Sequence, residues 1–155
     1  MWGVSSCVQV STKPAKRFPL GDGTNLPPAE NVIAEGLISP LKHSGGLAFS
    51  TEAELFFANY EKEGCIGKFK IGSDDPPEVF IDLSEWVSAT GNSVVRAEGL
   101  RVDKENRLLV ADAGTGKLLR ISPSAHKLEV LADSYDGYRF GSVKDLAISP
   151  NGDLF

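Results

Sequence analysis

Residues 99–133 carry the pattern that decides the fold and read GLRVDKENRLLVADAGTGKLLRISPSAHKLEVLAD. Four short apolar runs alternate in this stretch with turns rich in Gly, Asp, Asn and Ser. Runs of about 4–6 residues, rich in Leu, Val and Ile and separated by turn signals, are typical of β-strands. The stretch therefore predicts four consecutive strands.

The same order of runs occurs upstream, where residues 46–82 read GLAFSTEAELFFANYEKEGCIGKFKIGSDDPPEVFID. In both units the second apolar run begins nine positions after the opening glycine, at Leu55 after Gly46 and at Leu108 after Gly99. A third unit opens at residues 145–148 and reaches Phe155. The units differ in length mainly in their turns, as expected for repeats that share one framework.

This repeat predicts an all-β fold, a partial β-propeller of about two and a half four-stranded blades. Four strands at a period near 45–50 residues form one blade, and propellers close with about 4–8 blades, which needs on the order of 200–400 residues. The 155 residues are therefore expected to form the N-terminal part of a longer propeller. A truncated gene product, a fragment and a part that assembles with other chains all remain open. Unpaired strand edges would then be available for self-association. A weak helical pattern occurs only near residues 83–88.

The segment before the repeat differs in composition. Residues 1–30 contain four prolines and a Gly-Asp-Gly turn, which disfavour regular strands. We expect residues 1–30 to be a flexible leader and residues 31–155 to be the propeller domain.

Composition excludes several classes of protein. The chain is 41% hydrophobic and 24% charged, with a net charge of −5, which is ordinary for a globular protein and unfavourable for nucleic-acid binding. No basic start precedes an apolar stretch, and no apolar run approaches about 18 residues. We therefore expect a soluble, cytoplasmic chain with no signal peptide, no transmembrane segment and no membrane partner. Cys7 and Cys65 are too few for a zinc cluster or a disulfide scaffold, and Cys65 is predicted to be a small strand residue.

Several of these motifs together resemble a known family. Residues 97–103, 107–113 and 118–121, followed by 131–140 and 145–152, resemble the second blade of the gluconolactonase and senescence-marker-protein (regucalcin) family and the stretch that follows it. Residues 34–37 and 64–69 resemble the entry and the third strand of its first blade. The resemblance covers about residues 31–155.

The resemblance implies a six-bladed propeller with one divalent cation, calcium or zinc, near a central channel. It further implies hydrolysis of sugar lactones or related esters, with a small-molecule substrate such as a sugar lactone. In that chemistry the cation acts as a Lewis acid and a carboxylate assists proton transfer. A non-catalytic propeller for ligand or protein binding is the alternative from another functional class, and strictosidine-synthase-like propellers share the blade pattern.

The loops that precede the first strand of each unit hold the candidate site residues. Asp145 and Glu98 are the candidate catalytic carboxylates, and Lys144 and Ser142 are the candidate substrate-binding residues. Gly45 stands where the family presents a ligand glutamate, and Lys144 stands where it presents an asparagine. The metal ligands are therefore left unassigned, since an ammonium has no lone pair to coordinate.

Each candidate also has a structural interpretation. Asp145 could cap its own loop through backbone N–H groups, and Glu98 could be a solvated loop charge. Lys144 could be a surface lysine or pair with Glu98 or Asp145. His43 could be a ligand or a base, or an ordinary loop histidine.

Overall fold

The computed structural model describes residues 45–155 except 89, 90 and 92. Within these residues the chain forms ten β-strands and one short 3-10 helix, Leu83–Glu85, and no α-helix. The strands are β1 (Leu47–Phe49), β2 (Glu54–Ala58), β3 (Cys65–Lys70), β4 (Glu78–Asp82), β5 (Ala97–Val102), β6 (Leu108–Asp112), β7 (Lys117–Ile121), β8 (Leu128–Ala132), β9 (Ser134–Tyr135) and β10 (Tyr138–Arg139).

Two four-stranded antiparallel sheets account for the two complete repeats. The first blade has the strand order β1-β2-β3-β4, and the second has the order β5-β6-β7-β8. Equivalent runs also pair alike, because β1 pairs with β2 as β5 pairs with β6, both antiparallel. The predicted four-stranded units and the all-β, partial propeller fold are confirmed.

Burial along the strands explains why the central runs are wholly apolar. All five residues of β6 are buried, whereas β1 alternates exposed, buried, exposed. A strand covered on both faces needs apolar side chains at every position, while a half-covered strand needs them only at alternate positions. Cys65 lies buried in β3, as its sequence context predicts.

One apolar layer joins the two blades. Phe56 of β2 packs edge-on against Phe80 with ring centroids 4.9 Å apart. Burial of each large side chain in such a layer stabilises the fold by roughly 1.5–3 kcal/mol. The buried members of the layer come from both sheets and from the connection between them: Ala48, Phe56, Ala58, Ile66, Ile81, Leu83, Val87, Val95, Ala97, Leu100, Leu108, Val110, Leu119 and Ile121.

The other face of β6 meets the opening of the third unit. Leu109 and Ala111 pack against Leu146 in a second apolar cluster. Ala147 and Phe155 exchange backbone hydrogen bonds of 2.9 and 3.0 Å, which makes residues 147–155 an antiparallel hairpin. The predicted third unit therefore begins as the first two do.

The connections contain two small features. Residues predicted as a weak helix form one 3-10 turn, because the Asp82 side chain accepts a hydrogen bond from Ser84 N–H and caps it. Between the second blade and the third unit, β9 and β10 form a two-stranded hairpin. Its turn residues Asp136 and Gly137 both have positive φ, 50° and 79°, as tight hairpin turns require.

Some sequence predictions fall outside the described residues. The expected leader at residues 1–30, the beginning of the expected domain at residues 31–44, and His43 and Cys7 all lie there. Among the residues that the structure describes, no helix is both long and apolar enough to cross a membrane.

Candidate functional site

Close backbone approach brings the first strands of successive units together, β1 with β5 and β5 with the opening of the third unit. Gly46 N–H donates to the carbonyl oxygen of Glu98 at 2.5 Å, and a Cβ at Gly46 would lie only 2.2 Å from that oxygen. A Cβ at Gly99 would likewise lie 2.7 Å from the Cα of Asp145. The glycine that opens each complete repeat therefore lets the next unit approach.

This approach forms a cavity of about 280 Å³, here called the inner-strand cavity. It is built from the two residues that precede β1, from β5 and from the loop that precedes the third unit. Its lining residues are Gly45, Gly46, Glu98, Gly99, Arg101, Lys144 and Asp145. The structure thus brings together the candidate carboxylates, Lys144 and the altered position Gly45.

Glu98 lies beside two cations, of which Lys144 makes a hydrogen bond to it. Lys144 Nζ donates to Glu98 Oε1 at 3.0 Å, and Arg96 Nε lies 3.2 Å from the same oxygen. The Lys144 side chain is 61% exposed and that of Glu98 is 33% exposed, so the pair contributes little to stability. Of the alternatives open for Lys144, the structure shows the one in which it pairs with Glu98.

Asp145 has two kinds of partner. Its Oδ1 accepts a hydrogen bond of 2.8 Å from the N–H of Leu146, so the carboxylate caps its own loop. Arg101 Nη2 lies 3.3 Å from each carboxylate oxygen. The side chain of Asp145 is nevertheless 66% exposed and lines the cavity. The Asp145 carboxylate therefore both caps its own loop and lines the cavity.

Ser142 lies apart from Glu98. Its hydroxyl donates to the carbonyl oxygen of Ala113 at 3.0 Å, and it does not line the inner-strand cavity. It instead lines a neighbouring, mostly apolar pocket of about 570 Å³ together with Lys144 and Asp145. The predicted role of Ser142 in substrate binding stays a prediction.

The residues of the inner-strand cavity do not fit a divalent cation. Glu98 and Asp145 each have a cationic partner within 3.3 Å, and Gly45 offers no side chain. The Lys144 ammonium has no lone pair and would repel a metal ion. Across the described residues, no group of three or more His, Cys, Asp and Glu side chains is placed to hold a metal.

Two buried polar residues were not predicted from the sequence. Asn59 and Asp112 end equivalent apolar runs, four residues after Leu55 and Leu108. Both side chains bond to the connection that leads into the second blade. A polar residue at the same position of two otherwise apolar runs is the signal that could have identified them. Arg101 was missed as well, because nothing in its local sequence separates it from other exposed strand residues.

Comparisons with known proteins agree with this architecture. No family model matches the chain. The gluconolactonase of Zymomonas mobilis subsp. mobilis is 25% identical over 132 residues, which cover 70% of this chain and 36% of that protein. A solved structure assigned as a gluconolactonase has 18% identity and a TM-score of 0.55, covering 72% of this chain and 34% of that one. A luciferin-regenerating enzyme has 18% identity and a TM-score of 0.48, with 70% and 34% covered.

The chain thus spans about a third of the length of the relatives that it matches, 36% of the curated protein and 34% of the solved structure. The structural likeness shows the fold alone, because the sequence identity is only 18%. The sequence match shows that part of the chain is similar to a gluconolactonase. With its two blades and the opening of a third, the chain is therefore similar to part of a gluconolactonase propeller.

Proposed function

We propose that the protein hydrolyses the ester bond of a sugar lactone or a related small ester, and that the inner-strand cavity supplies part of its site. One observation carries the proposal: two consecutive residues, Lys144 and Asp145, present an ammonium and a carboxylate to the same cavity. The match to a gluconolactonase supports this class of substrate.

Asp145 is the group that would accept a proton. Its carboxylate is exposed to the cavity, and Arg101 and the N–H of Leu146 fix its orientation. A water molecule bonded to this carboxylate can transfer a proton to it while the water oxygen attacks the lactone carbonyl carbon. A general base of this kind contributes about 10²–10⁴-fold to the rate.

Lys144 is the group that would stabilise the negative charge on the carbonyl oxygen. An ammonium has three N–H donors, and Glu98 takes one of them at 3.0 Å. The others are available to the oxygen that becomes negative when water attacks. Glu98 then acts as a positioning residue, because its carboxylate accepts a hydrogen bond from Lys144 and holds the ammonium in the cavity.

The remaining steps return the site to its starting state. When the tetrahedral intermediate collapses, the bond between the carbonyl carbon and the ring oxygen breaks. The ring oxygen takes the proton from the carboxyl group of Asp145, which gives the open hydroxy acid and restores the carboxylate. One water molecule is consumed for each ester bond broken.

The test is hydrolysis of gluconolactone by the intact protein, followed as acid release with a pH indicator. Asp145→Asn should lower kcat by about 10²-fold or more, and Lys144→Met by a similar factor. Lys104→Met is the matched control, because Lys104 is an exposed lysine whose neighbour is Glu105, outside the cavity. A wild-type rate equal to that of buffer, or full activity of Asp145→Asn, would reject the proposal.

A second candidate is a non-catalytic propeller that binds a small ligand. It is favoured by one specific observation, that both carboxylates of the cavity already have cationic partners. This candidate predicts that a lactone or its hydroxy acid binds but is not hydrolysed. Neither the wild-type protein nor Asp145→Asn should then show turnover.

A further inference from the structure

The carboxylates around the inner-strand cavity are already neutralised without a metal ion. Two carboxylates, Glu98 and Asp145, face three cations, Arg96, Arg101 and Lys144. The group therefore already carries one excess positive charge. A divalent cation would raise that excess to three charges, which is unfavourable at these separations.

The position of Lys144 is decisive because its charge sits where a cation would bind. Its Nζ lies 3.0 Å from Glu98 Oε1. Calcium binds carboxylate oxygens at about 2.3–2.6 Å, so a calcium ion on this oxygen would lie within about 6 Å of the ammonium. Both cannot neutralise the same carboxylate without strong mutual repulsion.

Gly45 shows that the cavity itself has room for another ligand. A Cβ at Gly45 would lie 3.4 Å from the carbonyl oxygen of Glu98, an ordinary contact distance. A side chain is therefore tolerated there, in contrast to Gly46, whose Cβ would approach the same oxygen to 2.2 Å. The side chains present, rather than the backbone, decide against a metal.

We infer that the Lys144 ammonium acts as a built-in cation of the inner-strand cavity, so that Glu98 and Asp145 bind no divalent metal ion. This inference concerns metal binding alone, so it can stand or fall separately from the proposed hydrolysis.

The first experiment is a calorimetric titration of the chelator-treated intact protein with Ca²⁺ and, separately, with Zn²⁺. Glu98→Gln should leave any affinity of the wild-type protein for either ion unchanged within twofold, because Glu98 is not a ligand. A tenfold or greater loss of affinity in Glu98→Gln would overturn the inference.

The second experiment builds the missing ligands. The double variant Gly45→Glu with Lys144→Asn should bind Ca²⁺ at least tenfold more tightly than the wild-type protein. Adding Glu98→Gln should abolish the gain. The matched control is Gly45→Gln with Lys144→Asn, which has the same shape without the added carboxylate and should gain less.

Folding of each variant is checked by its circular dichroism and its thermal midpoint. If the double variant does not fold, Lys144→Asn alone serves, since removing the ammonium should by itself raise Ca²⁺ affinity. A folded variant without Lys144 that binds Ca²⁺ no better than the wild-type protein would overturn the inference.

Discussion

Asn59 and Asp112 occupy equivalent positions in successive blades and make hydrogen bonds of opposite polarity. Asn59 Nδ2 donates to the carbonyl oxygen of Ala97 at 2.8 Å, whereas Asp112 Oδ1 accepts from the N–H of Arg96 at 3.0 Å. Asp112 Oδ1 also accepts from the N–H groups of Gly114 and Thr115. Both side chains are buried, so the loss of these bonds is costly.

Replacing the amide by a carboxylate at Asn59 should therefore cost more stability than replacing the carboxylate by an amide at Asp112. Asn59→Asp turns a donor into an acceptor that faces the Ala97 carbonyl oxygen, and should lower the free energy of unfolding by about 2–5 kcal/mol. Asp112→Asn keeps an oxygen for the three N–H groups and should cost about 1 kcal/mol. Denaturant unfolding of the intact variants measures both values. Equal losses would contradict the opposite polarity of the two contacts.

Gly46 should be intolerant of a side chain for steric reasons. Gly46→Ala places a Cβ 2.2 Å from the carbonyl oxygen of Glu98 and 2.7 Å from the backbone nitrogen of Leu100. Backbone atoms cannot move aside cheaply, so we expect a loss of about 1–3 kcal/mol or more in the free energy of unfolding. Gly141→Ala is the matched control, because no described atom lies within 4 Å of its added Cβ. An equal effect of both substitutions would contradict the close approach.

Glu129 should make stability depend on pH in acid solution. The ammonium of Lys127 and the guanidinium of Arg120, both bonded to its carboxylate, lower the pKa of Glu129 from 4.5 to about 2. Because the pKa is lower in the folded state, the ionised Glu129 carboxylate stabilises the fold fully above about pH 4.5. This stabilisation is lost as the pH falls towards 2.

The measurement compares thermal midpoints of the wild-type protein and Glu129→Gln. Their difference should be present at pH 7 and shrink between pH 4.5 and pH 2, with a small amplitude because the ion pairs are solvent-accessible. Glu63→Gln, at an exposed position, should show no such change. A difference that stays constant over this range would contradict the lowered pKa of Glu129.

Cys65 should be chemically protected in the folded protein. Its residue is 3% exposed in β3, and burial raises the pKa of its thiol. Since the thiolate is the reactive form, a disulfide reagent should modify Cys65 slowly in the native state and rapidly in denaturant. A Cys7→Ser variant leaves Cys65 as the sole thiol to be followed. Rapid native-state labelling of that variant would show that β3 opens readily.

The sequence was sufficient for the sheets and insufficient for the contacts between them. Alternation of apolar runs and turns predicts each four-stranded unit, because strand pairing within a blade is local. The bond between Asn59 and Ala97 spans 38 residues, and local patterns carry no such information. The hairpin of β9 and β10 was not predicted as a sheet, because strands of two residues are too short to show alternation.

The candidate site was predictable only in part, because the repeat indicates positions along the chain but not the contacts of each side chain. Glu98, Lys144 and Asp145 could be grouped because the repeat places them near the beginning of successive units. The direction of a single side chain could not be read from the repeat. Ser142 turns its hydroxyl to the Ala113 carbonyl, and Arg101 reaches Asp145 from a strand, and both depend on local packing.

The apolar layer that joins the two blades has a consequence for cleavage of the peptide that links them. Leu83 and Val87 follow the last strand of the first blade, and Val95 precedes the first strand of the second. All three side chains are buried in that one layer. Gly91, which is exposed, lies in the stretch that links them. The blades are therefore held together by side-chain packing and by hydrogen bonds such as that from Gly46 to Glu98, in addition to the linking peptide. A protease nick at Gly91 should leave two pieces that stay associated, and separately produced halves should complement one another when mixed.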